Sequence, residues 1–331
     1  MALGGAIFAR SVRASRRIDF RGRSVVITGG SRGLGLVMAR LLAAEGARLT
    51  IAARDQEELE RAQDDLNGYA ANPEDIAIVR CDVGVRAEAE GLVRDAAARF
   101  GTVDVLINNA GIIQVGPIEH MTPEDFERAM AVHFWGPLHT TLAALPMMRR
   151  QGAGRIVNIS SIGGRIGVPH LVPYCASKFA LTGLSDSLRA ELLKDGIYVT
   201  TVCPGLMRTG SPFNAWFKGN HREEFAWFVI SDSMPVATID ARRAAAQVID
   251  ACRYGDAELV ITVPAKLAIM ARTLLPESIA AIMAAANRLL PAPGDNADHA
   301  SHSGWQSQSE WAPSRLTKLS DKAAAENNEV P

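Results

Sequence analysis

Short β-branched runs alternate with helical patterns from Ser24 to Val263. Ser24–Thr28 (SVVIT) is apolar and runs into glycine, the pattern of a buried strand entering a tight turn. The stretch LVMARLLAAEGA that follows repeats apolar residues at helical spacing, and Arg48–Ala53 reads as a second strand. The rhythm continues with a charged helix over Gln56–Gly68, a strand over Ile76–Val83, a helix over Glu88–Phe100 and a strand over Val103–Ile107. Further strands are predicted at Arg155–Ser160, Tyr198–Cys203 and Glu258–Val263, with helices over Phe179–Leu193 and Asp240–Cys252. Such alternation implies an α/β fold, a doubly wound parallel sheet with helices on both faces. Ligands in these sheets bind outside the carboxyl ends of the strands. Asp82, the Asn108–Gly111 turn, Ser161 and the Pro204-Gly205 turn all fall at such ends.

The turn from Thr28 to Gly35 (TGGSRGLG) is the first candidate for chemistry. Gly29, Gly33 and Gly35 allow a sharp turn and close approach to a ligand with no Cβ in the way. They open a helix whose free N–H groups and positive dipole end suit a pyrophosphate. Strand, loop, helix and second strand within about thirty residues are the context that gives a glycine-rich loop meaning. An NAD site would place a carboxylate near Ala53, at the end of the second strand, for the ribose 2′-hydroxyl. Arg54 comes next and Arg32 lies in the loop, and both suit a 2′-phosphate, so NADP(H) is expected in preference to NAD(H). Asp55 arrives one or two positions late and reads as a solvated residue or helix cap.

The second candidate is the segment Asn158–Lys178. Tyr174 and Lys178 are four residues apart, so on a helix they share a face. A phenol with a pKa near ~10 is a poor acid-base group at neutral pH, and a neighbouring ammonium pulls it down. Ser161, thirteen residues upstream across a Gly- and Pro-bearing loop, could hydrogen-bond a substrate oxygen while the phenol moves its proton. That is equipment for interconverting a carbonyl and an alcohol beside a hydride carrier. A Tyr-x-x-x-Lys alone is common on helix surfaces, and its weight comes from the rest of the chain.

Composition narrows the classes. The 35 Lys+Arg against 36 Asp+Glu give no overall pull toward nucleic acid. Cys81, Cys175, Cys203 and Cys252 lack CxxC spacing and read as buried free thiols in a reducing, cytoplasmic setting, and no metal-binding motif is present. Residues 1–20 form a basic arm expected to be flexible, and no apolar run is long enough to span a bilayer. Between Thr209 and Ser233, Phe213, Trp216, Phe217, Phe225, Trp227 and Phe228 concentrate in a chain that is 6% aromatic. This segment is either a lid for a bulky apolar substrate or ordinary packing. Lys218, His221, Arg222, Glu223 and Glu224 within it read as solvated. Residues 265–293 form two apolar helical pieces broken at Pro276, a hairpin docked on the domain or, with the basic arm, a peripheral membrane contact. From Gly294 to Pro331 polar residues dominate, and disorder is expected.

The ordered set Thr28–Gly35, Asn108-Asn-Ala-Gly111, Ser161, Tyr174-Cys-Ala-Ser-Lys178 and Pro204-Gly205 resembles the short-chain dehydrogenase/reductase family, in its short single-domain branch. The resemblance covers residues 21–264 and implies a Rossmann-type dinucleotide-binding domain, with 209–233 as its substrate loop. By the resemblance, the dinucleotide site comprises Thr28, Gly29, Ser31, Arg32, Gly33, Leu34, Gly35, Arg54, Asp82 and Val83, then Asn109, Ala110, Gly111, Pro204, Gly205 and Thr209. It also implies that Ser161 orients the carbonyl, Tyr174 transfers the proton, and Lys178 holds the ribose and lowers the phenol pKa. A small-molecule carbonyl or alcohol substrate and a homo-oligomer, dimer or tetramer, follow on the same basis. One position departs from the pattern: the family's V-N-x-x-G asparagine is His133 here, in VHFWG. Histidine can donate and accept, so a modified proton relay through His133 is expected. The alternative is a catalytically weak or silent NADPH-binding sensor or scaffold.

Overall fold

The protein is described here from a computed structural model, over residues 10–234, 238–294, 299–314 and 317–330. The expected strands form, within a residue or two at most ends. They are β1 (Ser24–Thr28), β2 (Arg48–Ala53), β3 (Ile76–Arg80), β4 (Val105–Asn108), β5 (Gly154–Ile159), β6 (Ile197–Pro204) and β7 (Glu258–Ile261). All seven are parallel, in the order β7-β6-β5-β4-β1-β2-β3. The strand expected to reach Val263 stops at Ile261, because Pro264 cannot donate to a ladder and instead sits in the first turn of a helix. β1, β4 and β5 are buried along their whole length, which is why their β-branched runs are continuous rather than alternating.

The helices are α1 (Gly33–Ala44), α2 (Gln56–Asn67), α3 (Arg86–Phe100), α4 (Pro123–Met130), α5 (Gly136–Gln151) and α6 (Val172–Leu192). They continue with α7 (His221–Asp232), α8 (Ala241–Tyr254), α9 (Val263–Leu274), α10 (Pro276–Asn287) and α11 (Lys318–Glu326). One face of the sheet packs on α1, α2 and α8 through Leu36, Leu42, Leu59, Leu66, Val248 and Ile249. The other packs on α3, α5 and the end of α6 through Leu92, Val93, Leu145, Met148 and Leu192. Thus the chain runs outward from β1 to β3, then restarts at β4 on the opposite side of β1. The crevice outside the ends of β1 and β4 is the topological switch point where an open α/β sheet binds ligands.

Two terminal expectations change. The arm residues from Arg10 are docked: Arg13 pairs with Asp256 at 2.8 Å and Asp250 at 3.0 Å, and Phe20 is fully buried. Residues 1–9 lie outside the described residues. The tail expected to be disordered also packs over 299–314 and 317–330, through a strand at His302–Ser303, the helix α11, and buried Ser307, Ser320 and Ala324. Its many small polar residues suit burial in a hydrogen-bonded seam, and composition alone treats them as solvated.

Candidate active site

The glycine-rich loop is built by contacts behind it. Asn109 donates from its side chain to the carbonyls of Thr28 (3.1 Å) and Gly29 (2.8 Å), while Thr28 Oγ1 accepts from the backbone of Asn109 and Ala110. These bonds clamp the ends of β1 and β4 together at the switch point. A Cβ at Gly35 would run into the Gly29 carbonyl oxygen, so glycine is required for the turn to close onto α1. α1 starts after Arg32, which adopts extended backbone and offers no side-chain cap, so its first-turn amides look to partners outside the helix.

A cleft of about 940 Å³ opens along this edge. Of the expected site residues, all but Thr28 and Gly35 line it, and those two act from behind. At the β2 end, exposed Arg54 stands at the mouth and Asp55 caps α2 by accepting from Glu58 N at 2.9 Å. Glu58 itself is a residue that sequence reasoning missed. Its carboxylate accepts from Ser31 Oγ and from Arg32 Nη1 at 2.7 Å, so it part-neutralises one of the two arginines. Nothing local marks it, because it meets the loop across 26 residues of chain.

Deeper in, α6 does what its four-residue spacing predicts, and places Tyr174 and Lys178 on the cleft face. Pro173 sits in the first turn of that helix, where its missing N–H costs nothing. The Ser161 hydroxyl lies beside the Tyr174 phenol and favours its charged form. Ser161 also accepts from Gly163 N at 3.0 Å, which holds its side chain toward the phenol. Lys178 Nζ donates to the Ile159 carbonyl at 2.8 Å and lies 5.7 Å from the Tyr174 ring centre. Burial pushes the Lys178 pKa down to about 7 and the Tyr174 pKa up to about 12, against a smaller opposing effect of the Ser161 hydroxyl. The expected lowering of the phenol by Lys178 is therefore not met in this cleft. The same desolvation that raises Tyr174 also disfavours the charged form of the neighbouring ammonium.

His133 lies on a π-turn, Ala131–Trp135, between α4 and α5, and is fully buried. Its Nε2 accepts from Ile112 N at 3.1 Å, so the proton of the neutral ring is on Nδ1, 2.7 Å from Ser177 Oγ. Ser177 in turn donates to the Tyr174 carbonyl at 2.8 Å, and the two rings meet edge to face at 5.4 Å. Burial and the Lys178 charge hold the imidazole pKa well below its ordinary value. Both nitrogens of the ring are thus engaged within the protein.

The aromatic segment divides. Phe213, Phe217 and Phe225 are buried in a separate apolar cluster with Leu171, Ala312 and Ala324, while Trp227 and Phe228 also reach the cleft. Packing thus accounts for most of the segment. Two of its charges, expected to be solvated, are buried instead: Lys218 pairs with Asp125 at 2.6 Å, and Glu224 accepts from Trp227 Nε1 at 2.6 Å beside His170 Nδ1 at 2.7 Å. Asp232, Asn214 and Glu329 also line the cleft without having been anticipated, and burial raises Asp232 to about 8. All four cysteines are buried free thiols, and no metal-binding group is found among the described residues.

A doubly wound parallel sheet with a glycine loop at its switch point defines a dinucleotide-binding α/β protein. The chain belongs to the short-chain dehydrogenase/reductase family, whose members bind NAD(P)(H): the family model for short chain dehydrogenase matches residues 23–215. An uncharacterized oxidoreductase of Thermotoga maritima is 38% identical over 188 residues, covering 57% of this chain and 73% of that protein. Dehydrogenase/reductase SDR family member 7B of Bos taurus is 40% identical over 203 residues, covering 60% of this chain and 62% of that protein. An uncharacterized oxidoreductase of Mycobacterium bovis is 39% identical over 188 residues, or 56% and 74% of the two chains. The family match stops at Ala215, before α7, the α9–α10 hairpin and the tail.

Proposed function

We propose that this protein is an NADP(H)-dependent oxidoreductase that interconverts a carbonyl and a secondary alcohol on a bulky apolar substrate. The observation that carries the reading is the convergence of Ser161, Tyr174 and Lys178 with the glycine loop in one cleft. The residues fit a dinucleotide: a Cβ-free cradle at the start of α1, Arg54 and the Glu58-paired Arg32 as cations for a 2′-phosphate, and Asp82, Val83 and Thr209 along the walls. When bound, the dinucleotide supplies or accepts the hydride. Ser161 Oγ then holds the substrate oxygen, and Tyr174 Oη gives or takes its proton. Lys178 binds beside them, and an anionic ligand in the cleft favours its charged form and through it the phenolate. His133 is a positioning residue: through Ile112 and Ser177 it sets the backbone around Tyr174, and its ring walls the phenol. Apolar Ile113, Val168, Leu171, Trp227 and Phe228 suit a bulky substrate at the far end.

The reading extends to a cytoplasmic homo-oligomer, dimer or tetramer, supported by exposed Leu142 on α5 and Phe179 on α6. It also includes peripheral membrane contact through the α9–α10 hairpin, where Leu267, Leu274 and Leu289 are exposed. The domain reading keeps residues 21–264 as the catalytic unit. The test of function is NADPH consumption over a panel of aldehydes, ketones, steroids and acyl compounds. Turnover is expected with an apolar ketone or aldehyde and should fall at least ~100-fold in Tyr174→Phe. Turnover that survives this substitution sinks the assignment of Tyr174.

A further inference from the structure

The C-terminal segment reaches back across the molecule and enters the phosphate end of the cleft. After α11 the chain turns at Asn328, which adopts a left-handed conformation (φ 56°) that asparagine tolerates better than most residues. Three consecutive residues then engage the glycine loop. The Asn327 carbonyl accepts from Gly33 N at 2.9 Å, so the tail uses an amide at the start of α1. Asn328 Nδ2 donates to the Ser31 carbonyl at 2.9 Å and the Glu58 carbonyl at 3.2 Å. Glu329 extends its carboxylate over the loop, where a Cβ on Gly33 would meet Glu329 Oε1 at 2.5 Å. Its Oε2 accepts from Asn214 Nδ2 at 2.6 Å and lies 3.7 Å from Arg32 Nε. The carboxylate is nearly inaccessible to solvent, yet it lines the cleft.

We infer that the C-terminal segment is a built-in competitor of the dinucleotide, with the Glu329 carboxylate standing in for a phosphate at the glycine loop. This rests on the dinucleotide reading of the cleft. The anion site at the start of α1 has one set of first-turn amides and one nearby guanidinium, Arg32, which is already shared with Glu58. A diphosphate brings further negative charge to the same few ångströms, and like charges with little water between them exclude each other. Burial pushes the Glu329 pKa up to about 7, as expected of an anion held where only Arg32 and Asn214 answer it. The Glu329 carboxylate is thus poorly solvated in its docked position. Glu329 is thereby a determinant of cofactor affinity, located outside the segment that matches the family model. By linkage, whatever factor the docked tail costs the dinucleotide, the dinucleotide costs tail docking.

The experiment compares NADPH binding to the full chain and to two full-length variants, with adenosine as a ligand that lacks phosphate. Glu329→Gln keeps an acceptor for Asn214 and removes the charge, and Asn328→Ala loosens the anchor. If the tail is docked about nine-tenths of the time, apparent affinity is lowered tenfold, and both variants should bind NADPH up to about tenfold tighter. Adenosine affinity should stay unchanged in both. Hydrogen exchange of residues 317–330 should speed up when NADPH is added to the wild type. Equal or weaker NADPH affinity in both variants, or slower exchange in the tail on binding, overturns the inference while leaving the dinucleotide reading standing. Failure of all three proteins to bind any dinucleotide overturns that reading and the inference with it.

Discussion

Lys178 is buried at the cleft wall, and burial rather than partners decides its charge. Its folded pKa near 7 lies below the unfolded value of about 10.4. Between those values the unfolded chain holds more protons, so the stability of the ligand-free protein rises with pH across this window and is lost as pH falls through it. Lys178→Met removes that dependence. The melting temperature of the variant relative to wild type should be highest near pH 6 to 7 and decline toward pH 10, while turnover collapses. A difference that does not change with pH would place a charged lysine in the folded state throughout. For His133 the expectation is the reverse of a titrating relay. His133→Asn should retain activity within about threefold and leave the acidic limb of the pH-rate profile where it was, because the ring is already neutral. A shifted limb would restore His133 to proton transfer. That Tyr174 and Lys178 share a helix face was legible from their spacing, and their weight as a pair came from the other motifs along the chain. The charge states of the two were not legible, because desolvation depends on what the rest of the chain packs around them.

At the scale of elements, α7 shows why charge is a weak guide to exposure. Its sequence HREEFAWFVISD reads as half solvated, yet Glu224 is fully buried because His170 and Trp227 arrive from the loop before α6 and from the next turn. Lys218 is buried for the same reason, with Asp125 supplied by α4. The hairpin α9–α10 is the opposite case. Its apolar residues are where helical spacing put them, but α10 has no buried residue at all, and Leu267, Met270, Leu274 and Ile282 stay exposed. Hydrophobic residues at helical period imply a partner surface, and the hairpin faces away from the domain core. The full chain is expected to co-sediment with anionic vesicles, and Leu267→Glu with Leu274→Glu should cut the bound fraction several-fold. Protein that stays in the supernatant would remove the membrane contact from the proposed reading. No described helix is long and apolar enough to cross a bilayer.

Across the whole molecule, the C-terminal tail joins parts that are remote in sequence. Residues 299–314 and 317–330 complete the apolar cluster under α7, bond to the glycine loop and line the cleft beside it. The amino acid sequence by itself determined the sheet, its strand ends and the order of motifs along them. Buried strands and amphipathic helices are periodic over a few residues, and the glycines of a dinucleotide loop are required by local backbone geometry. It also carried the shared helix face of Tyr174 and Lys178, which is local, and left Asp55 open between a solvated residue and the cap that the structure shows. Only the tertiary structure decided that Glu58 answers Arg32, that both nitrogens of His133 are taken, and that Glu329 lies on Gly33. These contacts join residues 21 to about 300 positions apart, and no periodicity or propensity records which polar groups meet once the chain has closed. Burial then sets their charge, so the electrostatics of the cleft belong to the fold as a whole.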